Sequence, residues 1–345
     1  YYKGLGTSCA KEFKEYFKNK KEVCFKWAGT ECDNSMDKVF NKKRADDRKT
    51  WLGNYDKQSV LNPSTNEISY TDFVDREMIH FSKYDCERSI PNLMDGLKIS
   101  TRKIMFAAFK RNLVREIKVA QFAGYVSEHS CYHHGEMSLN KAIVGLAQEY
   151  MGSNNINSLL PNGQFGTRLE GGKDSASERY IFTLLNPITR FIFPKEDEHI
   201  LNYLDDDGTM VEPEWYIPII PMILVNGGKG IGTGFSYEGM SYNPTQIIDY
   251  LKYSIKKPEK TNKNKIQPYY EGFKGSITKI EEDKFLFKGC YEIINYDTIK
   301  ITELPIGTWT SDYKAYLETL IEDKTKAGKK RDPIVKTYIL SLIHI

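Results

Sequence analysis

Residues 171–182 read Gly-Gly-Lys-Asp-Ser-Ala-Ser-Glu-Arg-Tyr-Ile-Phe, and the rest of the chain is best understood from this stretch. Small and polar residues, which cannot form a packed core, lead to Arg179 and Tyr180, and the β-favouring run Tyr-Ile-Phe-Thr-Leu-Leu follows. The pattern predicts a flexible approach that delivers one tyrosine hydroxyl to the edge of a rigid element. Such a hydroxyl attacks a phosphodiester only where cations stabilise the developing charge and a base takes the proton. Arg179 is the nearest candidate cation, although a tyrosine packed in a core explains the dipeptide alone more simply.

Length and composition are those of an ordinary globular protein with two or three domains. The chain has 345 residues, of which 40% are hydrophobic and 28% charged. No apolar run approaches the roughly 20 residues of a membrane span, so we expect no membrane partner. The six cysteines are scattered without a CxxC pair, which indicates neither a zinc site nor a disulfide framework. The first residues contain no initiator Met and no signal-peptide pattern, so we expect the middle of a longer chain.

The net charge of +3 does not by itself indicate a nucleic-acid partner, but the distribution of charged residues along the chain does. Residues 88–118 hold eight basic side chains and only two acidic ones, Asp95 and Glu116. A local excess of positive charge suits a phosphate backbone. The alternative is a solvated basic face, which is what most charge runs are. The basic residues are Arg88, Lys98, Arg102, Lys103, Lys110, Arg111, Arg115 and Lys118.

Several longer motifs flank the tyrosine stretch in a fixed order. They are Tyr-His-His-Gly-Glu (132–136), Gly-Ser-Asn-Asn-Ile-Asn (152–157), Leu-Pro-Asn-Gly-Gln-Phe-Gly-Thr-Arg (160–168), Glu-Pro-Glu-Trp-Tyr-Ile-Pro-Ile-Ile-Pro (212–221) and Gly-Ile-Gly-Thr-Gly (230–234). This succession closely resembles the breakage-reunion region of type IIA DNA topoisomerases, in the eukaryotic and large-DNA-virus form. The resemblance runs in order from Tyr1 to about Tyr316.

The resemblance implies an α+β fold with several domains. Residues 1–30 would be the C-terminal tail of a TOPRIM domain and residues 31–75 a connector. Residues 76–200 would form a winged helix carrying the catalytic tyrosine, and residues 201–340 an incomplete tower domain. The last five residues, 341–345, are of doubtful origin.

The local patterns agree with that division. We expect five helices: one near 10–21, one that begins after an N-cap at Ser100, one over 137–150, one over 244–255 after a cap at Asn243, and one that begins after Thr310 or Ser311. In the helix that follows Ser100, the predicted buried stripe is Ile104, Met105, Ala108 and Phe109. We expect strands over 164–169, 180–184, 272–280, 284–294 and 298–304, and a basic loop over 256–265.

By this resemblance Tyr180 is the nucleophile that forms a 5′-phosphotyrosyl link with DNA. Arg179 is its neighbouring cation, and Arg102 and His134 map to the family's winged-helix arginine and histidine. Donors around one phosphate stabilise the charge of the transition state, and His134 could also relay the tyrosine proton. A surface charge for Arg102 and a structural histidine for His134 are the simpler explanations of each residue alone.

The remaining site predictions concern DNA binding. Lys98, Lys103, Lys110 and Arg111 would contact phosphates without reading bases, and Lys103 and Lys110, seven apart, would share a helix face. His133 and Ser175 are further expected contacts. Ile231 lies where the family inserts an apolar wedge between base pairs. The alternating glycines around it would also suit a nucleotide-binding loop, but Lys229 is followed by Gly, so the Walker A motif is absent.

Cofactors and partners follow from the resemblance alone. Mg²⁺ would be held by acidic TOPRIM ligands upstream, so we expect no metal site in this chain. ATP would be bound by another domain. We therefore expect the 345 residues alone to be inactive in cleavage. The expected partners are double-stranded DNA and a second copy of the enzyme. The expected location is the nucleus, or a viral factory in the host cytoplasm. Two alternatives remain: a catalytically silent DNA-binding scaffold, against which the intact residues argue, and a relative of the meiotic-break nucleases, against which the downstream motifs argue.

Overall fold

The computed structural model describes residues 8–20, 22–62, 64–258, 266–282, 284–321 and 333–340. The chain divides into two compact units. The first comprises Tyr1–Leu93, Leu97–Ile99 and Gly228–Glu238. The second comprises Met94–Gly96, Ser100–Gly227 and Gly239–Ile345. The second unit therefore contains most of both the predicted winged helix and the predicted tower.

The first unit is mainly helical, with one short parallel strand pair. Its core is formed by Val39, Trp51, Leu52, Val74 and Ile79, and a π-helical turn over Val74–Met78 leads into its last long helix. Its elements before residue 90 are α1 (Ala10–Lys18), β1 (Cys24–Lys26), α2 (Thr30–Phe40), α3 (Ala45–Gly53), β2 (Glu67–Ser69), α4 (Tyr70–Phe73) and α5 (Ile79–Ser89).

The first part of the second unit packs three helices on a small antiparallel sheet. Its elements are α6 (Ile99–Arg111), β3 (Ile117–Lys118), α7 (Val119–Ser130), α8 (Glu136–Ala147), β4 (Leu159–Asn162) and β5 (Phe182–Leu185). The strand order is β3-β5-β4, with Phe182 opposite both Lys118 and Asn162. The predicted stripe of α6 is buried, together with Phe122 of α7 and Ile143 of α8. This core fixes the strand that follows Tyr180.

The remaining elements are hairpins and helices. They are α9 (Pro187–Ile192), β6 (Tyr203–Asp206), β7 (Thr209–Pro213), α10 (Met222–Val225), β8 (Gly228–Ile231), β9 (Ser236–Gly239), α11 (Pro244–Lys256), β10 (Ser276–Glu281), β11 (Lys284–Lys288), β12 (Cys290–Ile293), β13 (Ile299–Glu303) and α12 (Thr310–Ile321). The antiparallel pairs are β6 with β7, β10 with β11, and β12 with β13.

The predicted mixture of helices and sheets is confirmed, and some local predictions are wrong. The expected cap at Asn243 is present, because its side-chain oxygen accepts the Thr245 N–H at 2.9 Å. The expected strand over 164–169 is irregular turn structure, and the run expected over 284–294 is two strands separated by Gly289. Helix α7 was not predicted. The doubtful residues 341–345, most of the basic loop over 256–265 and the start of the TOPRIM tail lie outside the described residues.

In the part of the chain that the structure describes, no helix combines the length and apolar character needed to cross a bilayer.

Candidate functional site

Tyr180 lies at the end of a turn, directly before the central strand β5. Its N–H donates to the Ser177 carbonyl at 2.9 Å, which closes the turn. The next residue, Ile181, is 1% exposed, whereas the Tyr180 side chain is 71% exposed. Ile181 thus packs into the interior while the neighbouring tyrosine side chain extends into solvent.

The tyrosine turn is bound to the first residues of α7. The Val119 N–H donates to the Ile181 carbonyl at 3.0 Å, and the Ala120 N–H donates to the Glu178 carbonyl at 3.1 Å. The first N–H groups of a helix have no partner within the helix, and here two of them bind the carbonyls on either side of Tyr180. The tyrosine is thus presented on a backbone that is held at two points.

Arg179 stays beside the tyrosine ring. Its guanidinium carbon lies 5.7 Å from the centroid of the Tyr180 ring, and its side chain is exposed. Among the described residues no carboxylate lies within ion-pair distance of Arg179. An exposed guanidinium of this kind can pair with the oxygens of a phosphate. Arg179 therefore lies beside the tyrosine ring with its charge exposed, and its action on a phosphate stays a prediction.

The two adjacent histidines have different surroundings. His134 is half-buried, and its ring meets the buried Tyr132 ring edge to face with 5.5 Å between centroids. His133 is exposed, and its Nε2 lies 2.9 Å from Asp206 Oδ2 on β6. His133 thus ties the loop between α7 and α8 to the β6–β7 hairpin. Because the Asp206 carboxylate lies against Nε2, a phosphate could bind His133 only through the other ring nitrogen or by displacing that carboxylate.

Arg102 does not lie where a catalytic arginine is expected. Its side chain is 6% exposed and forms a forked ion pair with Asp95, which is fully buried. The Nε–Oδ2 distance is 2.7 Å and the Nη2–Oδ1 distance is 3.0 Å, while the Tyr216 N–H donates to the same Oδ2 at 3.0 Å. Breaking such a pair leaves a buried charge without compensation. The expectation that Arg102 contacts the scissile phosphate is corrected: Arg102 holds the interior of the second unit together.

Lys103 also departs from the prediction. Its side chain is 12% exposed, with Nζ 2.8 Å from Oε2 of the buried Glu212 and hydrogen-bonded to the Ser130 carbonyl. Lys110, on the same face of α6, is exposed and extends over the Phe106 ring at 5.5 Å. The shared face was predicted correctly, but the middle of α6 is covered by β7 and the end of α7. The prediction of Lys103 as an exposed phosphate contact is therefore corrected.

Exposed cations cluster where α6 ends and β3 begins. The Arg111 guanidinium lies 4.8 Å from the centroid of the Tyr125 ring, which is itself stacked on His129 at 3.9 Å. Lys118 extends over the Phe182 ring at 5.8 Å. Contact with an aromatic face holds a long basic side chain in place while its charge stays accessible. Together with Lys110 these residues form a surface suited to phosphates.

The first unit carries its own basic residues. Lys98 is half-buried, its Nζ donates to the Lys229 carbonyl at 2.8 Å, and burial lowers its pKa from the ordinary value. Arg88, in the last turn of α5, is exposed. In the sequence Arg88 is one of the eight basic residues of 88–118, and the pattern gives it no separate role. Its place directly before Ser-Ile-Pro, where a helix must end, is the signal that could have singled it out.

The alternating glycines have a packing role. Side chains alternate along β8, so that Gly230 is buried and Ile231 is 69% exposed. A Cβ on Gly230 would lie 2.3 Å from the backbone oxygen of Ser89 at the end of α5. Glycine is therefore required there for the close approach of β8 to α5. The hairpin presents Ile231 outward, as an apolar wedge requires.

The asparagine motif at 152–157 is explained by hydrogen bonding. The Asn155 side chain donates to the carbonyls of Val225, Tyr242 and Tyr269 at 3.0–3.2 Å. Its oxygen accepts the Glu271 N–H at 2.9 Å. One side chain thus joins three distant segments of the second unit, and no chemical role is needed to explain the motif.

Within the described ranges, no three His, Cys, Asp or Glu side chains are grouped so that they could hold a metal ion.

Comparison with known proteins identifies the family. Residues 88–336 match the A-subunit family of DNA gyrase/topoisomerase IV, and residues 1–86 match the C-terminal associated domain of TOPRIM. The chain is 47% identical to DNA topoisomerase 2 of Caenorhabditis elegans and 49% identical to DNA topoisomerase 2 of Arabidopsis thaliana. Each match covers 98% of this chain and 23% of the relative, so the chain spans less than a quarter of their length.

A solved structure agrees with these matches. It is the crystal structure of the Plasmodium falciparum topoisomerase II DNA-binding, cleavage and re-ligation domain, with a TM-score of 0.80 and 50% identity. The match covers 94% of this chain and 44% of the other. Fold, motifs and matches place the chain among the type II DNA topoisomerases, which confirms the class predicted from the sequence. Within that class, the chain belongs to the A-subunit family of DNA gyrase/topoisomerase IV.

Proposed function

We propose that this chain is the DNA-cleavage core of an ATP-dependent type II DNA topoisomerase, with Tyr180 as its nucleophile. The observation that carries the proposal is the 71% exposed tyrosine beside an exposed arginine, on a turn bound to the start of α7. The full enzyme would open both strands, pass a second duplex through the break and reseal it. Such a cycle changes supercoiling and resolves entangled DNA.

Each bond broken in cleavage is matched by a bond formed. The Tyr180 oxygen bonds to the scissile phosphorus, the bond from phosphorus to the 3′-oxygen breaks, and that oxygen takes a proton from water and leaves as a 3′-hydroxyl. The product is a 5′-phosphotyrosyl link, which conserves the bond energy, so resealing needs no high-energy cofactor. Arg179 stabilises the charge on the non-bridging oxygens, worth about 3 kcal/mol by analogy with oxyanion donors. His134 accepts the phenol proton.

The proposed DNA surface uses phosphates rather than bases. Lys110 and Arg111, with Lys118 beside them, supply exposed cations in the second unit. Phosphate contacts fix the position of the duplex without selecting its sequence, which suits an enzyme that acts at many sites. Lys98, His133 and Ser175 remain proposed contacts. Arg88 is added as an exposed candidate, and Ile231 is the proposed wedge that helps to bend the duplex.

The finer architecture is also part of the proposal. Helices α6–α8 with the sheet β3-β5-β4 would form the winged helix of residues 76–200. The hairpins and helices of residues 201–340 would form the tower, and residues 1–30 and 31–75 the TOPRIM tail and the connector. The working enzyme would be a homodimer acting on nuclear DNA. Mg²⁺ and ATP would act in the full enzyme, since no three His, Cys, Asp or Glu side chains of the described residues are grouped so that they could hold the metal.

The proposal is tested with the full-length protein and a duplex labelled at its 3′ ends, because the strand that becomes attached to the tyrosine keeps its original 3′ end. After rapid denaturation, the wild type should carry covalently attached 5′ ends. Tyr180→Phe should bind the duplex with unchanged affinity and carry none. The matched control is Tyr296→Phe, which removes the hydroxyl of a 99% exposed tyrosine and should behave as the wild type.

The outcomes separate the two functional hypotheses. A wild-type protein that binds DNA but never links to it would favour the catalytically silent scaffold. Attached ends that persist in Tyr180→Phe would assign the nucleophile to another residue.

A further inference from the structure

The segment that leads to Tyr180, residues 164–176, is called here the approach loop. It has no helix or strand, yet it is closed by its own hydrogen bonds. The Ala176 N–H donates to the Gln164 carbonyl at 2.9 Å, and the Asp174 carboxylate accepts from both the N–H and the hydroxyl of Thr167. These hydrogen bonds join the two ends of the loop and its middle, and the loop ends four residues before the tyrosine.

An ion pair fixes the approach loop to the end of β13. Arg168 donates through Nη1 to the Glu303 carboxylate and through Nη2 to the Leu304 carbonyl. The side chains of the pair are 19% and 5% exposed. The other oxygen of Glu303 accepts the Lys274 N–H at 3.2 Å, so this carboxylate joins the loop to two parts of the C-terminal segment. A planar guanidinium bound at two points fixes direction as well as distance.

Trp309 forms a second attachment a few residues further along the chain. Gly171 has φ +62°, and a Cβ at this position would lie 2.4 Å from the indole ring. The Ser311 N–H donates to the Leu169 carbonyl at 2.9 Å, and the Trp309 ring meets the Tyr150 ring edge to face at 5.8 Å. Glycine is required at 171 because the indole occupies the space of a side chain and the backbone is left-handed.

We infer that Glu303 and Trp309 are positioning residues for the cleavage reaction, acting through Arg168 and the approach loop on Tyr180. The inference rests on the proposed function and adds a group of residues more than a hundred positions beyond the tyrosine. Neither residue touches the reacting atoms. Small displacements of a nucleophile are costly to rate, so loosening the loop slows attack while the basic surface still binds DNA.

The test compares two neutralised glutamates on the β12–β13 hairpin of the full-length protein. Glu303→Gln removes the charge that holds Arg168 and keeps the size of the side chain. The control is Glu292→Gln, because Glu292 is exposed and pairs only loosely with Lys300, at 3.5 Å. Three quantities are measured: the single-turnover rate of covalent complex formation at saturating duplex, the DNA dissociation constant, and hydrogen exchange along the chain.

We expect Glu303→Gln to lower the cleavage rate at least tenfold and to change the dissociation constant by less than twofold. Hydrogen exchange should accelerate in residues 164–181 and remain slow in α6–α8. Glu292→Gln should match the wild type in all three. Trp309→Phe, which keeps an aromatic ring, should lower the cleavage rate by a smaller factor, again with unchanged DNA affinity and faster exchange in residues 164–181. If Glu303→Gln does not fold, Trp309→Phe is the variant that tests the inference.

Two results would overturn the inference while leaving the proposed function intact. One is a normal cleavage rate in both Glu303→Gln and Trp309→Phe. The other is a loss of rate that accompanies faster exchange throughout the second unit, since that is a loss of fold rather than of position. A wild-type protein that captures no DNA refutes the proposed function itself, and this inference with it.

Discussion

Replacing Asp95 by alanine tests the structural role of Arg102. Asp95 is fully buried and accepts two hydrogen bonds from the guanidinium and one from the Tyr216 backbone. Its removal breaks the buried two-point ion pair with Arg102, and breaking a buried pair by removing one partner costs about 3–5 kcal/mol. For a unit of this size each kcal/mol shifts the melting temperature by about 2–4 °C, so we expect a loss of roughly 6–20 °C.

The assay is thermal and urea unfolding followed by tryptophan fluorescence. The control is Glu281→Ala, which breaks the exposed Lys284–Glu281 pair of the same unit, with side chains 68% and 60% exposed. It should change the free energy of unfolding by no more than about 1 kcal/mol. If Asp95→Ala loses less than about 1 kcal/mol, the reasoning about the buried pair is wrong. If Arg102→Met keeps full stability and loses DNA cleavage, the arginine belongs at the phosphate after all.

Three further outcomes are expected. Lys110→Ala should weaken binding to all DNA sequences equally and lower the slope of log affinity against log salt concentration by about one. An unchanged slope would show that Lys110 does not contact a phosphate. Lys103→Ala should leave that slope unchanged and destabilise the protein by about 3 kcal/mol, because Glu212 stays buried without its cation; a salt-slope effect without destabilisation would contradict this. Ile231→Ala should reduce DNA bending measured by energy transfer while sparing salt-dependent affinity, and an unchanged bend angle would count against the wedge.

Much of the fold was predictable where local periodicity and tertiary packing agree. The stripe of α6 and the cap at Asn243 are both where the sequence places them. Helix α7 could also have been predicted, since Val119, Phe122, Ala123 and Val126 recur at helical spacing and are all buried. The strand predicted over 164–169, the first part of the approach loop, is wrong because Arg168 binds Glu303 and Leu304, residues far along the chain that local preferences do not encode.

The site shows the same limit. Exposure of Tyr180 was predicted correctly, because a polar approach followed by a β-favouring run contains the needed information. The burial of Lys103 was not predicted, because its partner Glu212 lies 109 residues away in the sequence. A basic residue on a helix looks the same in sequence whether it meets a phosphate or a buried carboxylate. Only the position of the acidic partner distinguishes the two, and that position is a property of the tertiary fold.

The measurement that tests the central claim most directly is identification of the residue that becomes attached to DNA. The full-length protein is denatured during cleavage, the DNA is digested to a nucleotide remnant, and tryptic peptides are analysed by mass spectrometry. Cleavage after Arg179 and Arg190 releases a peptide that begins at Tyr180. We predict that this peptide alone carries a 5′-phosphoryl nucleotide, on the tyrosine oxygen. The remnant on any other residue, with this peptide unmodified, would contradict the assignment of Tyr180 as the nucleophile.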